Sequence, residues 1–359
     1  MLIQVHLIGC DFRKRVANFG LILLLSILIT PNMSAEVLFF WPIFFVSFSF
    51  PVSIIVRKFA VGMFDKDMEK SKRIPLFSTR QETVRRLLVA AIMLMIGEWA
   101  LAQPHILSHR GFYTNPKVDE NSLDALREAQ RLHRTMGLEA IEFDVHMTSD
   151  GGLVVRHDNH IEGKLSCQGS TLAEVLAYTL PLGAKIPTLR EWFQQAKQTP
   201  QMKLALELKP HATPQKETEV IEKVLALARE MDMMDQLCFL SFSLHACQEF
   251  VRLAPGCQVI LNSSNINEPV TPAKAKEMGF AAISYHLNVF MHNVKWIDEA
   301  NALGLDTYLW MCDAPYLIDW ATAYGVTWIT TNYADRMLAY AQALAKDRKR
   351  LKKLRKCKF

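Results

Sequence analysis

Ala140-Ile141-Glu142-Phe143-Asp144-Val145-His146-Met147-Thr148 is the stretch on which the fold turns. It reads as a strand whose apolar run is nearly continuous, the pattern of a parallel strand buried on both faces. Glu142 and Asp144 stand two apart, so on a strand both side chains leave the same face. In a closed barrel that face is the interior. Two carboxylates side by side in a dry interior repel one another unless a cation lies between them.

Outward from this strand, short apolar runs alternate with amphipathic stretches. Strands are expected at 106–111, 140–148, 203–210, 237–242, 258–263, 281–287, 306–311 and 328–333. Helices are expected at 121–136, 188–197, 215–231, 244–253, 271–278, 293–303, 315–324 and 335–345. Eight strands alternating with eight helices predict an α/β fold, a closed (β/α)8 TIM barrel over residues 103–345. A doubly wound sheet would carry a glycine-rich loop after an early strand; here Arg110-Gly111-Phe112-Tyr113 follows instead. A further short strand at 153–156 leads into His157-Asp158, and the stretch after it shows no clear regular element at its start. Such a loop, placed just after a candidate motif, is expected to shape a pocket.

The net charge of +5 belongs to a tail: residues 346–359 hold nine Lys/Arg and one Asp, leaving a mildly acidic body. No basic stripe interleaved with aromatics suggests a nucleic-acid partner. The tail reads as a frayed, solvated helix end; the other reading lays it on an anionic membrane. The seven cysteines form no CxxC pair, although the spacing of Cys247 and Cys257 allows a disulfide. The sequence sets no oligomeric state.

Residues 1–102 form a separate hydrophobic region with apolar segments at 16–30, 38–56 and 87–102. Basic residues cluster before the first segment and between the second and third, which predicts cytoplasmic flanks there. The region is expected to anchor the chain in the membrane with the barrel outside the cytoplasm. In a second reading, Arg85-Arg86, the apolar run and Ala100-Leu101-Ala102 form a signal peptide cleaved near Ala102 after a start at Met63 or Met68. That would export the domain to the periplasm. A third reading buries 87–102 as a helix of a cytoplasmic protein.

Active sites of such barrels lie at the carboxyl ends of the strands. Those ends hold His109-Arg110, Glu142 and Asp144, His157, Glu207 and Lys209, with Trp310 on strand seven. Glu207 adds a third carboxylate to Glu142 and Asp144, and a site without cysteine favours a hard ion, Mg2+ or Ca2+. The competing reading pairs Glu142 or Asp144 with Arg110 or Lys209 as structural ion pairs. His109 and His157 are candidates for proton transfer. His146 shares the face of Glu142 and Asp144 and is a minor candidate for lining the pocket. Arg110 and Lys209 suit an anionic substrate.

These motifs together resemble the glycerophosphodiester phosphodiesterase family. They run in order: His109-Arg110-Gly111, Glu120-Asn121-Ser122, Glu142-x-Asp144-Val145-x-x-Thr148-x-Asp150-Gly151, His157-Asp158 and Glu207-Leu208-Lys209. The resemblance implies metal-dependent hydrolysis of glycerophosphodiesters to an alcohol and sn-glycerol 3-phosphate, within lipid metabolism. By motif position it makes His109 and His157 the acid/base pair, Glu142, Asp144 and Glu207 the metal ligands, and Arg110 and Lys209 the phosphate contacts. Trp310 would meet the organic part of the substrate. The chain departs from the pattern at Asp119, at Ser122 and around Asn332. On the same fold, a lysophospholipase D type substrate is the alternative; a non-catalytic, membrane-tethered barrel is another. A small transporter is disfavoured, because no further span follows residue 102.

Overall fold

This computed structural model describes residues 103–114 and 117–356. The apolar segments 16–30, 38–56 and 87–102 lie outside the described residues. Among the described residues no helix is long and apolar enough to cross a membrane.

The order is β1 (His105–Ser108), α1 (Leu123–Met136), β2 (Ala140–Met147) and β3 (Leu153–Val155). A hairpin, β4 (His160–Glu162) and β5 (Leu165–Ser166), leads to α2 (Leu172–Ala177) and α3 (Leu189–Ala196). Regular alternation then resumes with β6 (Lys203–Leu208), α4 (Pro214–Glu230), β7 (Leu237–Ser241), α5 (Leu244–Leu253), β8 (Val259–Ser263) and α6 (Pro272–Glu277). It continues through β9 (Ala282–His286), α7 (Leu287–His292), α8 (Lys295–Ala302), β10 (Asp306–Trp310), α9 (Pro315–Tyr324), β11 (Trp328–Thr331), α10 (Ala334–Lys346) and α11 (Arg348–Lys356).

Strands β1, β2, β6, β7, β8, β9, β10 and β11 are parallel neighbours in that order, and β11 pairs back on β1. Eight strands therefore close into the (β/α)8 barrel, and no edge remains as it would in a doubly wound sheet. On β2, Ile141, Phe143, Val145 and Met147 pack outward into the main apolar core under the helices, where Phe143 stacks on Trp192. Ala140 points the other way, into a smaller inner cluster with Leu107, Ala205, Ile260 and Tyr308. Alternation then sends Glu142 and Asp144 inward above that plug.

The helices begin where the sequence supplies an acceptor. Ser122 caps α1, Thr213 caps α4 ahead of Pro214, and Thr188 with Glu191 forms a capping box on α3.

Three expectations need correction. Residues 157–187 do contain regular structure, the β4–β5 hairpin and α2, which enclose a small core of Val154, Cys167, Val175, Leu180 and Ile186. The described cysteines, Cys247 and Cys257 included, are free. The tail is docked over its described part: Leu351 is buried, Leu354 packs on the core, and Arg350 pairs with Asp319 and lies over the Tyr340 ring. A solvated reading overlooked that Leu351 and Leu354, three apart, share one helix face.

Candidate active site

Strand register brings three carboxylates together. Glu142 and Asp144 alternate inward on β2, and Asp144 lies directly opposite Glu207 on β6. All three are buried, and one oxygen of each lies within 4.8 Å of the others. Lys209 sits two positions beyond Glu207 on the same face. Its ammonium is 2.7 Å from Asp144 Oδ1 and 2.5 Å from Glu207 Oε1. Lys209, expected beside a phosphate, lies against these acids, because two buried carboxylates draw the nearest cation. The ion pair weighed against metal binding is thus present, but one ammonium cannot balance three acids.

The electrostatics show the shortfall. Burial alone would raise Asp144, but Lys209, then His157 and Arg110, hold it below the usual carboxylate range. Burial pushes Glu142 well above that range, with Asp144 and Glu207 adding repulsion. Burial and Asp144 push Glu207 up to about 7 against the pull of Lys209. Glu142 Oε1 is buried with no hydrogen-bond partner among the described residues. An unpaired buried oxygen is costly, and a bound cation would satisfy it. With the three acids ionised and one offset by Lys209, two negative charges remain, so this cluster can hold a divalent metal ion.

The loop after β1 completes the site. Arg110 has φ 54° and Gly111 φ 80°, a left-handed turn that is uncommon for a residue other than glycine. The turn aims the Arg110 amide at Glu142 Oε2, 2.8 Å away, and the Gly111 amide at the Glu142 carbonyl, 3.0 Å away. A Cβ at Gly111 would lie 2.9 Å from Ala125 Cβ, closer than packing permits. Glu120 accepts from Arg110 Nη1 with both oxygens at 2.8 Å. Asn121, also left-handed at φ 54°, donates to Asp144 Oδ2 at 2.8 Å and accepts from the Asp144 amide at 3.2 Å. Asp119 accepts the amides of Leu182 and Ala184, tying the 157–187 segment to the mouth.

His109 is neutral and its tautomer is set by neighbours. Asp313 Oδ2 accepts from Asn332 Nδ2 at 2.8 Å, which turns Asn332 Oδ1 toward the ring. That oxygen lies 2.8 Å from His109 Nδ1 and accepts the Tyr113 hydroxyl at 2.7 Å. Nδ1 therefore carries the proton, and the Nε2 lone pair accepts from Arg110 Nε at 3.2 Å, with Glu142 Oε2 3.9 Å away. Burial, then the charge of Arg110, pushes His109 down to about 4.

His157 is more open, with Nδ1 2.7 Å from Asp158 Oδ1. Its carbonyl accepts from His146 Nε2 at 3.0 Å. Gln168 Nε2 donates to His146 Nδ1 and to the Pro210 carbonyl, both at 3.0 Å. His146, expected to line the pocket, is instead buried and committed to holding the His157 backbone; burial pushes it down to about 4. Trp310 donates to the Ser284 carbonyl at 3.1 Å, and its ring meets His286 at 5.0 Å and Phe242 edge-on at 5.6 Å.

Sequence reasoning assigned no role to Asn121, Gln168, Asp313 or Asn332. The signal available was the placement of Asn121 within a motif and of Asn332 at a strand end.

The sequence pattern of the Glycerophosphoryl diester phosphodiesterase family matches residues 109–336. A glycerophosphodiester phosphodiesterase of Caldanaerobacter subterraneus subsp. tengcongensis is 24% identical over 252 residues, 65% of this chain and 96% of that one. The crystal structure of a glycerophosphodiester phosphodiesterase from Parabacteroides distasonis superposes with a TM-score of 0.64 at 31% identity, covering 68% of this chain and 99% of that chain. A phosphodiesterase of Oleispira antarctica, solved in complex with the product sn-glycerol-3-phosphate, shares the fold with a TM-score of 0.58 at 23% identity, over 67% of this chain and 97% of that one. A family match over more than half the chain, spanning both histidines and all three clustered carboxylates, leads to one conclusion: the chain belongs to the glycerophosphoryl diester phosphodiesterase family.

Proposed function

We propose that the barrel hydrolyses glycerophosphodiesters to an alcohol and sn-glycerol 3-phosphate, with a divalent cation held by Glu142, Asp144 and Glu207. The observation that carries this reading is the buried trio of carboxylates, short of positive charge, beside His109, whose Nε2 keeps its lone pair on the side of Glu142 and accepts from Arg110 Nε. Oxygen ligands alone favour a hard ion, Mg2+ or Ca2+. When bound, the cation supplies neutralisation of charge on the phosphoryl oxygens.

His109 Nε2 takes the proton of the nucleophile, either water or a neighbouring glycerol hydroxyl. Asn332 stabilises the imidazolium that forms by accepting from Nδ1. His157 returns a proton to the leaving alkoxide, and Asp158 orients its ring through Nδ1. Arg110, held by Glu120, faces the phosphate, and Lys209 keeps Asp144 ionised. Trp310 meets the organic part of the substrate.

The apolar segments of residues 1–102, flanked by basic clusters, support a location in the cell envelope, either anchored in the membrane or exported to the periplasm after cleavage near Ala102. The test is an assay of the full chain on a panel of glycerophosphodiesters, with and without chelator. Hydrolysis that survives complete chelation, or that persists in both His109→Ala and His157→Ala, would overturn the proposal.

A further inference from the structure

The mouth of the barrel has two unlike halves. The loops after β1, β2, β3 and β6 carry the charged groups described above. The loops after β7, β8, β9 and β10, consecutive neighbours around the barrel, are different in kind. Residues 242–245, 264–270, 286–294 and 311–316 contain no Lys or Arg, and their only acids are Glu268 and Asp313. Both oxygens of Asp313 are engaged by Thr331 and Asn332.

The same arc carries Phe242, Leu244, Ile266, Met291 and Tyr316, which are all the exposed large hydrophobic side chains among the described residues except Leu182. Met291 is 58% and Tyr316 67% exposed. One exposed apolar side chain needs no explanation. Five on four adjacent strand-to-helix connections at one end of the barrel mark a binding surface. The arc reaches Trp310 at the carboxyl end of β10, because Phe242 meets its ring, which in turn meets His286.

We infer that this arc receives the acyl chain of a glycerophosphodiester that has kept one fatty acid. The inference rests on the phosphodiesterase reading and narrows its substrate class. The charge pattern favours an acyl chain: a lining without Lys or Arg, whose acids are Glu268 and an engaged Asp313, offers little to an anionic or a cationic group. The extent favours it too. A trimethylammonium group fills one aromatic box, whereas aliphatic Leu244, Ile266 and Met291 spread the surface over three loops. In the reaction, water supplies hydroxide to phosphorus and a proton to the departing headgroup oxygen. The P–O bond to the headgroup breaks, and a monoacylglycerol phosphate is released.

The experiment compares glycerophosphocholine with octanoyl-glycerophosphocholine, kept below micelle formation, using the full chain with Mg2+ or Ca2+. The wild type should show a kcat/KM for the octanoyl compound about tenfold or more above that for glycerophosphocholine. The triple variant Ile266→Ser, Met291→Ser, Tyr316→Ser should lose most of that gain through a higher KM, with glycerophosphocholine turnover unchanged as the control for folding. No preference in the wild type, or a preference that survives in the triple variant, overturns the inference. An equal loss on both substrates overturns it as well and assigns the arc to the headgroup. Hydrolysis of neither compound removes the phosphodiesterase reading itself, whereas hydrolysis of glycerophosphocholine alone removes only this one.

Discussion

Glu207→Gln should stabilise the cation-free protein at alkaline pH, although it removes a partner of Lys209. Glu207 is buried and pushed up to about 7 from a usual 4.5, by burial and then by Asp144. A carboxyl whose folded value is raised contributes stability that is fully present below the unfolded value. That stability is lost as pH rises through the folded value. The window is therefore about pH 4.5 to 7. The gap, at ~1.4 kcal/mol per pH unit, amounts to about 3 kcal/mol against the wild type above that window. The neutral amide escapes this cost and keeps an oxygen for Lys209. For a domain of this size the difference is about 6–12 °C in melting temperature. Thermal unfolding of chelated wild type and variant across the window reads it directly. Adding Mg2+ or Ca2+ at alkaline pH should then raise the wild type by a similar amount and the variant far less. A wild-type minus variant difference that stays flat with pH, or equal cation gains in both, would refute the reasoning.

Other outcomes follow from the same geometry. His109→Ala and His157→Ala should each lower kcat by about 10² to 10⁴ while circular dichroism is unchanged. Asp313→Ala frees Asn332 to turn its amide, so kcat should fall about tenfold or more with KM steady, and Asp313→Asn should recover part of it; equal kcat in all three would dismiss the tautomer argument. His146→Leu should lower kcat by releasing the His157 carbonyl. The same change should make the fold more acid-resistant, because a histidine depressed to about 4 costs stability as pH falls from its unfolded ~6.5, and urea titrations at acid pH would show it. Gly111→Ala should cost roughly 1–3 kcal/mol in urea unfolding, from its positive φ and the contact with Ala125.

The barrel strands and the carboxylate trio were legible because they depend on alternation alone. Glu142, Asp144, Glu207 and Lys209 each lie two residues from a partner, and period two puts them inside whatever the loops do. The supports of the histidines were not legible. Asp313 to Asn332 and Gln168 to His146 join residues far apart in the chain, and nothing local to either residue announces its partner. The contacts of Lys209 with Asp144 and Glu207 were hidden for a related reason: their distances depend on how β2 and β6 pair. The hairpin and α2 were missed because the buried apolar residues of the small core they enclose, Val154, Cys167, Val175, Leu180 and Ile186, are too sparse for any period to show.

That small core gives the segment between β3 and α3 a measure of independence. It packs around Val154 of β3, and Asp119 fastens it to the mouth through amides at Leu182 and Ala184, which any side chain there would leave in place. Apart from His157, Asp158 and Gln168, which serve the site, residues of this segment can change without touching the strands that hold the acids. A fold arranged this way ties a few positions of the entrance to the chemistry and leaves the others to shape what is admitted.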